Sequence, residues 1–356
     1  MVNPKALSIF TRTSGLASLL RKAGMQGQRS LRCMTPRKAL NLVLLRAEMG
    51  RGRSRLRSYP YHYVIDPVNY CILRCPLCPT GRGTLIRKKG QLSIGDYRRV
   101  VDQVAPYALS IDLYNWGEPL LHNNVFDMVA YARERRVSAK ISTNLNVLNE
   151  TRIGEIIESG LDELVISLDG ADQATYEKYR VGGDLAKVLW GVRELVAEKR
   201  RRKSPRPWIT VRVLLHWGNE GEIAQIRQLA WSLGVNNVVV APILVNIDRP
   251  QDVEEWLPGD SRYSYYDYRS REDKTVARTG RCPFLWERMV ISWDGGVSPC
   301  CWYDNPSNDF GNILKEGVEA IWNGPRYVSA RGVFGGCRGG AETICSQCRG
   351  RPRYEY

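Results

Sequence analysis

From residue 61 onward two hydrophobic periods alternate along the chain. Short runs rich in β-branched and aromatic residues occur at 63–66, 110–114, 139–142, 163–168, 209–215 and 237–241. Segments with helical spacing lie between them, near 94–106, 123–135, 150–160, 184–202 and 220–233. Alternating strands and helices predict parallel βα units. Six such units suit an α/β fold, a partial (β/α)6 TIM-like barrel over residues 61–245. In barrels the chemistry sits on loops after the C-terminal ends of the strands.

Those loops have an unusual composition. The first carries Cys71, Cys75 and Cys78. Three thiolates in so short a loop suit one soft metal centre, either zinc, copper(I) or an iron–sulfur cluster. Structural zinc closes with four ligands, and a cubane cluster normally takes four cysteines. Three cysteines on a cubane would leave one iron free to bind a cofactor or substrate. A zinc knuckle with a distant fourth ligand, or three unrelated buried cysteines, are the competing readings. The second loop carries Gly117, Glu118 and Pro119, the third Ser142, Thr143 and Asn144, and the fourth Ser167, Asp169 and Gly170. Gly117 permits close backbone approach, and Glu118 can accept from an ammonium. Ser142 and Asn144 suit ribose hydroxyls, and Ser167 and Asp169 suit an amino-acid or ribose moiety. Singly, each is also an ordinary turn or helix-capping residue.

A second cysteine group closes the chain. The apolar run 289–293 meets Asp294 and Gly295, a hairpin signal. This puts Cys282 and Cys300 at the hairpin's open end, and the pair Cys345 and Cys348 follows 45 residues after Cys300. Four thiolates make one closed centre, which by spacing alone reads as zinc. Cys301 adjoins Cys300 and is a candidate hydrogen donor or a small buried residue. Cys337 is a weaker candidate for that role or for a replacement ligand.

Taken together, the Cys71, Cys75 and Cys78 loop and the loops at Gly117, Ser142 and Ser167 resemble the radical S-adenosylmethionine (radical SAM) superfamily over roughly residues 61–245. The resemblance implies a [4Fe–4S] cluster on Cys71, Cys75 and Cys78, with S-adenosylmethionine chelating the fourth iron. It assigns the amine-binding stretch to Gly117 and Glu118, with Trp116 where a first glycine is usual. Leu77 stands where many members carry an aromatic residue. Arg180 is the candidate partner for the cofactor carboxylate, through a charge-assisted pair, or else a surface arginine ending a helix. The C-terminal group, with the segments around Gly311 and Trp322, is similar to the SPASM/Twitch domain. That implies one auxiliary [4Fe–4S] cluster on Cys282, Cys300, Cys345 and Cys348, in a small β-hairpin-plus-helix domain over 282–356. Residues 246–281 read as a linker that covers the barrel mouth.

The implied activity is a radical SAM oxidoreductase or epimerase. It cleaves the cofactor reductively to a 5′-deoxyadenosyl radical, which abstracts hydrogen from a substrate C–H bond. An external donor such as flavodoxin or ferredoxin supplies the electron. The short auxiliary form is similar to enzymes acting on sugars and aminocyclitols, so a sugar, aminocyclitol or glycoconjugate precursor is the first expectation. A peptide or protein maturase is the alternative, and a zinc-stabilised binding protein is the non-enzyme alternative.

Charge narrows the partners. The net charge is +15, yet residues 1–60 hold 13 Lys/Arg and one acid, Glu48, so the remainder is close to neutral. Nucleic acid is therefore not expected as the partner of the main body. The basic extension over 1–60 reads as a solvated arm, as amphipathic helix on an anionic membrane surface, or as a transit-peptide-like start. Residues are 43% hydrophobic and 25% charged, which is ordinary for a globular protein. No apolar run reaches the ~18 residues that would suggest a membrane span. Cysteines in metal-type groups fit a reducing cytosol better than secretion.

Overall fold

The computed structural model describes residues 32–245, 249–260, 263–264, 282–335 and 341–348. Six parallel strands follow the order of the chain: β1 (His62–Ile65), β2 (Ser110–Asp112), β3 (Ser138–Thr143), β4 (Glu163–Ser167), β5 (Trp208–Leu215) and β6 (Asn237–Pro242). Each lies within one or two residues of the run that predicts it. A first helix, α1 (Pro36–Gly50), precedes them. The short α2 (Pro79–Arg82) and α3 (Ile94–Val104) follow β1. Then come α4 (Val125–Glu134), α5 (Glu150–Glu158), α6 (Gln173–Tyr179), α7 (Leu185–Arg201) and α8 (Ile223–Ser232). Several helices start on a side chain that accepts an otherwise unpaired N–H: Ser93 for α3, Asn149 for α5, Asp172 for α6 and Asp184 for α7.

The sheet is mostly parallel and open, so the expected partial barrel is what the chain builds. Its order is β6-β5-β4-β3-β2-β1-β7-β8. The last two strands come from the C-terminal region. β7 (Arg288–Ile291) pairs parallel with β1, and β8 (Val297–Ser298) returns antiparallel through Gly295 at φ +83°. The expected hairpin is present, but it does not stand apart from the barrel. It covers the β1 edge, whose backbone N–H and C=O groups would otherwise lack partners. Its apolar residues Met289, Val290 and Ile291 are buried there.

Side-chain alternation divides the sheet into two faces. Tyr63, Ile65, Ile111, Ala139, Ile141, Leu164, Ile166, Val211 and Val213 are buried in the main core. The alternate positions His62, Asp112, Lys140, Glu163 and Arg212 share the opposite face, in register across β1 to β5. There His62 Nε2 and Lys140 Nζ approach Asp112 at 3.2 and 3.3 Å. Burial alone would raise the Asp112 carboxyl, but Lys140 and His62 bring it well below the usual carboxylate range. A polar inner face with apolar residues packed behind it gives a barrel whose mouth and interior can hold a polar molecule.

Among the described residues no helix is long and apolar enough to cross a membrane. Cys337 and most of the 246–281 segment lie outside the described residues.

Candidate active site

The three-cysteine loop leaves β1 at Asp66 and folds back before α2. Cys78 donates its N–H to the Cys75 carbonyl at 3.2 Å and immediately precedes α2, with no capping hydrogen bond from its side chain. Leu73 N–H points at Cys71 Sγ at 3.4 Å. A Cβ on Gly81 would lie 2.5 Å from Cys75 N, so α2 can close onto the loop only with glycine there. A small apolar cluster encloses the loop. Leu73, Cys75, Tyr179, Ile243 and Val245 form it, with Val253, Trp256 and Leu257 packed against them. The last group includes part of α9 (Pro250–Trp256), which is tied to α2 by Arg82 gripping Asp252 at 2.6 and 3.1 Å. Within the 246–281 segment, Val253, Trp256 and Leu257 therefore pack beside the cysteine loop.

Burial makes free thiolates costly here. It pushes the Cys71 thiol up to about 12, and Cys75 also rises, although Arg180 opposes this. Such sulfurs lose their protons when a metal centre compensates the charge. Among the described residues no three His, Cys, Asp or Glu side chains converge as ligands of a single metal ion.

The second loop docks directly on the first. A Cβ on Gly117 would meet the Val68 carbonyl oxygen at 2.1 Å, and Glu118 N–H donates to Tyr70 O at 2.9 Å. The Glu118 side chain is buried and committed. It accepts from Thr143 Oγ1 at 2.6 Å, from Asn144 N–H at 2.8 Å and from Leu120 N–H at 3.1 Å. Its main work is therefore to join the second and third loops; one oxygen keeps room for a further donor. Pro119 is buried at the start of a 3-10 turn. Asn144 Nδ2 lies 3.4 Å from Cys71 Sγ, so its amide faces the cysteine loop rather than an open ribose site. Ser142, next to last in β3, and Ser167, last in β4, are buried residues of the same mouth.

Arg180 closes the ring. It is not a surface arginine. Its Nε donates to Asp169 Oδ2 at 2.6 Å, and its Nη1 lies 3.8 Å from Cys75 Sγ. Its Nη2 is buried without a hydrogen-bond partner. Asp169, fully buried, also accepts from Leu214 N–H at 2.7 Å. Asp169 thus holds Arg180 instead of facing a ligand. An orphaned guanidinium N–H beside a three-cysteine loop fits a carboxylate-bearing ligand on the metal centre.

Two contributors, Asp66 and His216, escaped the sequence reading, and a third, Thr143, was seen in the third loop without its role. Asp66 accepts from the second loop's backbone, with Trp116 N–H at 3.4 Å, and burial pushes its carboxyl up to about 8. Thr143 links Glu118 to Leu145 N–H. His216 packs tilted against Tyr179 and edge-on to Trp256, with Nε2 buried and without a hydrogen-bond partner. Only Asp66 carried a signal, as an acid directly after an apolar strand.

At the C-terminal end, Cys300 is within electrostatic reach of Cys301, Cys282 and Cys345, and Cys282 within reach of Cys348. These pairwise approaches link the three segments that carry Cys282, Cys300, Cys345 and Cys348, and Cys301 follows Cys300 directly in the chain. Burial raises Cys282 to about 11 and raises Cys300 further.

A mostly parallel partial barrel with a cysteine loop after its first strand, joined to a second cysteine group, defines an iron–sulfur enzyme class. The chain matches the model of the radical SAM superfamily over residues 65–230 and that of the SPASM iron–sulfur cluster-binding domain over 282–349. It belongs to the radical SAM superfamily and carries a C-terminal SPASM domain. Its cofactors are S-adenosylmethionine and [4Fe–4S] clusters. It is 25% identical to an AdoMet-dependent heme synthase of Methanosarcina barkeri, over 62% of this chain and 61% of that protein. The chain thus spans less than two thirds of that relative. It is 24% identical to a tungsten-containing aldehyde ferredoxin oxidoreductase cofactor-modifying protein of Pyrococcus furiosus, over 74% of this chain and 81% of the relative. It is 23% identical to a PqqA peptide cyclase of Granulibacter bethesdensis, over 77% of each chain. Among solved structures, SuiB of Streptococcus suis bound to S-adenosylmethionine shares the fold at a TM-score of 0.60. The sequences are 17% identical, over 80% of this chain and 70% of SuiB. The anSMEcpe enzyme with bound AdoMet and the Cp18Cys peptide does so at 0.54 and 14%, over 82% and 86%.

Proposed function

We infer that this radical SAM enzyme modifies a peptide or protein at a C–H bond, as an oxidoreductase or epimerase. The observation that carries the mechanism is the buried Arg180 Nη2, orphaned beside Cys75. In this reading Cys71, Cys75 and Cys78 hold the cleaving cluster and Arg180 binds the carboxylate of the methionine moiety. Gly117 and Glu118 offer backbone and side-chain oxygens to its ammonium, and Ser142, Asn144, Ser167 and Asp169 shape the rest of the pocket. When bound, the cluster and S-adenosylmethionine supply reductive cleavage and hydrogen abstraction. The protein's own part is to orient the cofactor through Arg180, to exclude water with the α9 cover, and to present the polar inner face to the substrate.

Cys282, Cys300, Cys345 and Cys348 hold an auxiliary cluster that accepts or relays an electron, with an external flavodoxin or ferredoxin as the initial donor. Cys301 is the proposed residue that returns a hydrogen if the outcome is epimerisation.

The peptide class is supported by relatives named as PqqA peptide cyclases and by neighbours crystallised with peptides. The sugar or aminocyclitol expectation draws no such support and becomes the second class to test. Supplying the anaerobically reconstituted chain with deuterated peptides and deuterated glycans separates them. Deuterium should pass from a peptide into 5′-deoxyadenosine. Transfer from a glycan alone would overturn the peptide reading, and no cofactor cleavage under any reducing condition would overturn the enzyme.

A further inference from the structure

The first helix is turned inside out. Lys38, Asn41, Leu45 and Glu48 form the buried face of α1. Three of these four are polar, and each has its partners. Lys38 Nζ donates to Arg136 O at 2.7 Å. Asn41 exchanges two hydrogen bonds with the Tyr59 backbone, at 2.9 and 2.8 Å. Glu48 accepts from Arg57 N–H, Ser58 N–H and Ser58 Oγ, the last at 2.7 Å. Rotating the helix to hide its apolar side would leave these buried groups unpaired. Its rotational setting is therefore fixed.

The outward face is apolar. Leu40 and Val43 are each 69% exposed. With Ala47 they lie within an arc of about 60° on the helix surface. Arg37 and Arg46 stand at the two edges of this stripe, where Arg37 donates to the Tyr107 hydroxyl and Arg46 pairs with Glu287, so the uncommitted cations are those that follow. The exposed Arg51, Arg53, Arg55 and Arg57 follow it in the next segment. Among the described residues no ion pair takes those last four. Residues 1–60 contain a single acid, Glu48, and it is buried on the inner face.

The partner must reward both exposed leucine and valine and a local excess of cations. Nucleic acid would use the arginines but gains nothing from Leu40 and Val43. A second copy would set one cationic segment against another. An anionic bilayer rewards both, since apolar side chains enter the boundary between headgroups and acyl chains while arginines pair with phosphates. We propose that α1 is a docking surface for an anionic lipid bilayer. The helix lies in the plane of the interface with Leu40 and Val43 inserted and Arg51, Arg53, Arg55 and Arg57 on the headgroups. This inference does not depend on the substrate or on the radical chemistry.

Cosedimentation of the full chain with vesicles tests it. The chain should bind vesicles of phosphatidylcholine mixed with phosphatidylglycerol, bind those of phosphatidylcholine alone weakly, and release as salt rises. The double change Leu40→Asp with Val43→Asp should lower the bound-to-free ratio at least about tenfold, with iron content and far-UV circular dichroism unchanged. Wild-type chain that stays in the supernatant with both vesicles overturns the proposal, and so does a double variant that binds like wild type. A vesicle-free dimer dissolved by the same changes would assign the face to a second copy instead. Binding to RNA without binding to vesicles would assign the arm to nucleic acid.

Discussion

Arg180 donates from Nε to Asp169, approaches Cys75 through Nη1 and keeps Nη2 buried without a partner. A charge-assisted hydrogen bond contributes about 1.5–3 kcal/mol. Arg180→Ala should therefore weaken S-adenosylmethionine binding by about 10- to 100-fold, measured by calorimetry on the reconstituted chain, with iron content intact. Arg180→Lys should recover part of this, because a point charge cannot reproduce the planar fork. Unchanged affinity in the alanine variant would remove Arg180 from the site. Asp66 gives a pH signature. Burial raises its carboxyl to about 8 in the folded chain, against about 3.9 when unfolded. The folded state then holds the proton more tightly, so this group's contribution to stability declines as pH rises from about 4 to about 8. Asp66→Asn should flatten that decline in the unfolding midpoint, and an identical pH slope in both proteins would refute the assignment. Neither effect is readable from sequence. The sequence marks Arg180 as a cation near a helix end, and only packing shows which of its nitrogens lacks a partner.

Loop docking decides the geometry at the scale of elements. Gly117 sits against the Val68 carbonyl, and Glu118 ties the second loop to the third. The hairpin is fastened to the segment after α2 through Arg87. Its Nη1 binds Asp294 at 2.6 Å and its Nη2 binds Asp309 at 2.6 Å. Arg87 and Asp309 are largely buried, while Asp294 is a third exposed. Breaking a buried pair by removing one partner costs about 3–5 kcal/mol, and the exposure of Asp294 tempers this toward about 2–4. Arg87→Ala should lower the denaturation free energy by that amount, read from urea titration of the reconstituted chain. A midpoint equal to wild type would show that the hairpin is held by β7 pairing alone. The hairpin itself was legible from Asp294 and Gly295. Its parallel pairing with β1 was not, because an apolar four-residue strand does not specify which sheet edge it will cover.

In the proposed reading the two cysteine groups of the chain, one of three and one of four, hold separate clusters. Replacing Cys71 should abolish 5′-deoxyadenosine formation. Replacing Cys345 should cut iron from about eight to about four per chain while cofactor cleavage persists. Stoichiometric zinc in place of iron, or full cleavage without Cys71, would contradict this division. The order of strands and helices and the cysteine spacings were legible because hydrophobic period and thiolate chemistry are local properties of the chain. The loop motifs were legible in combination for the same reason. Tertiary structure alone decided that Glu118 and Asp169 act first as braces, that Asn144 turns toward Cys71, and that α1 buries its polar side. Each of these depends on which partners arrive from distant segments. A buried polar group takes the hydrogen bonds that the assembled fold provides, and its position in sequence does not determine them.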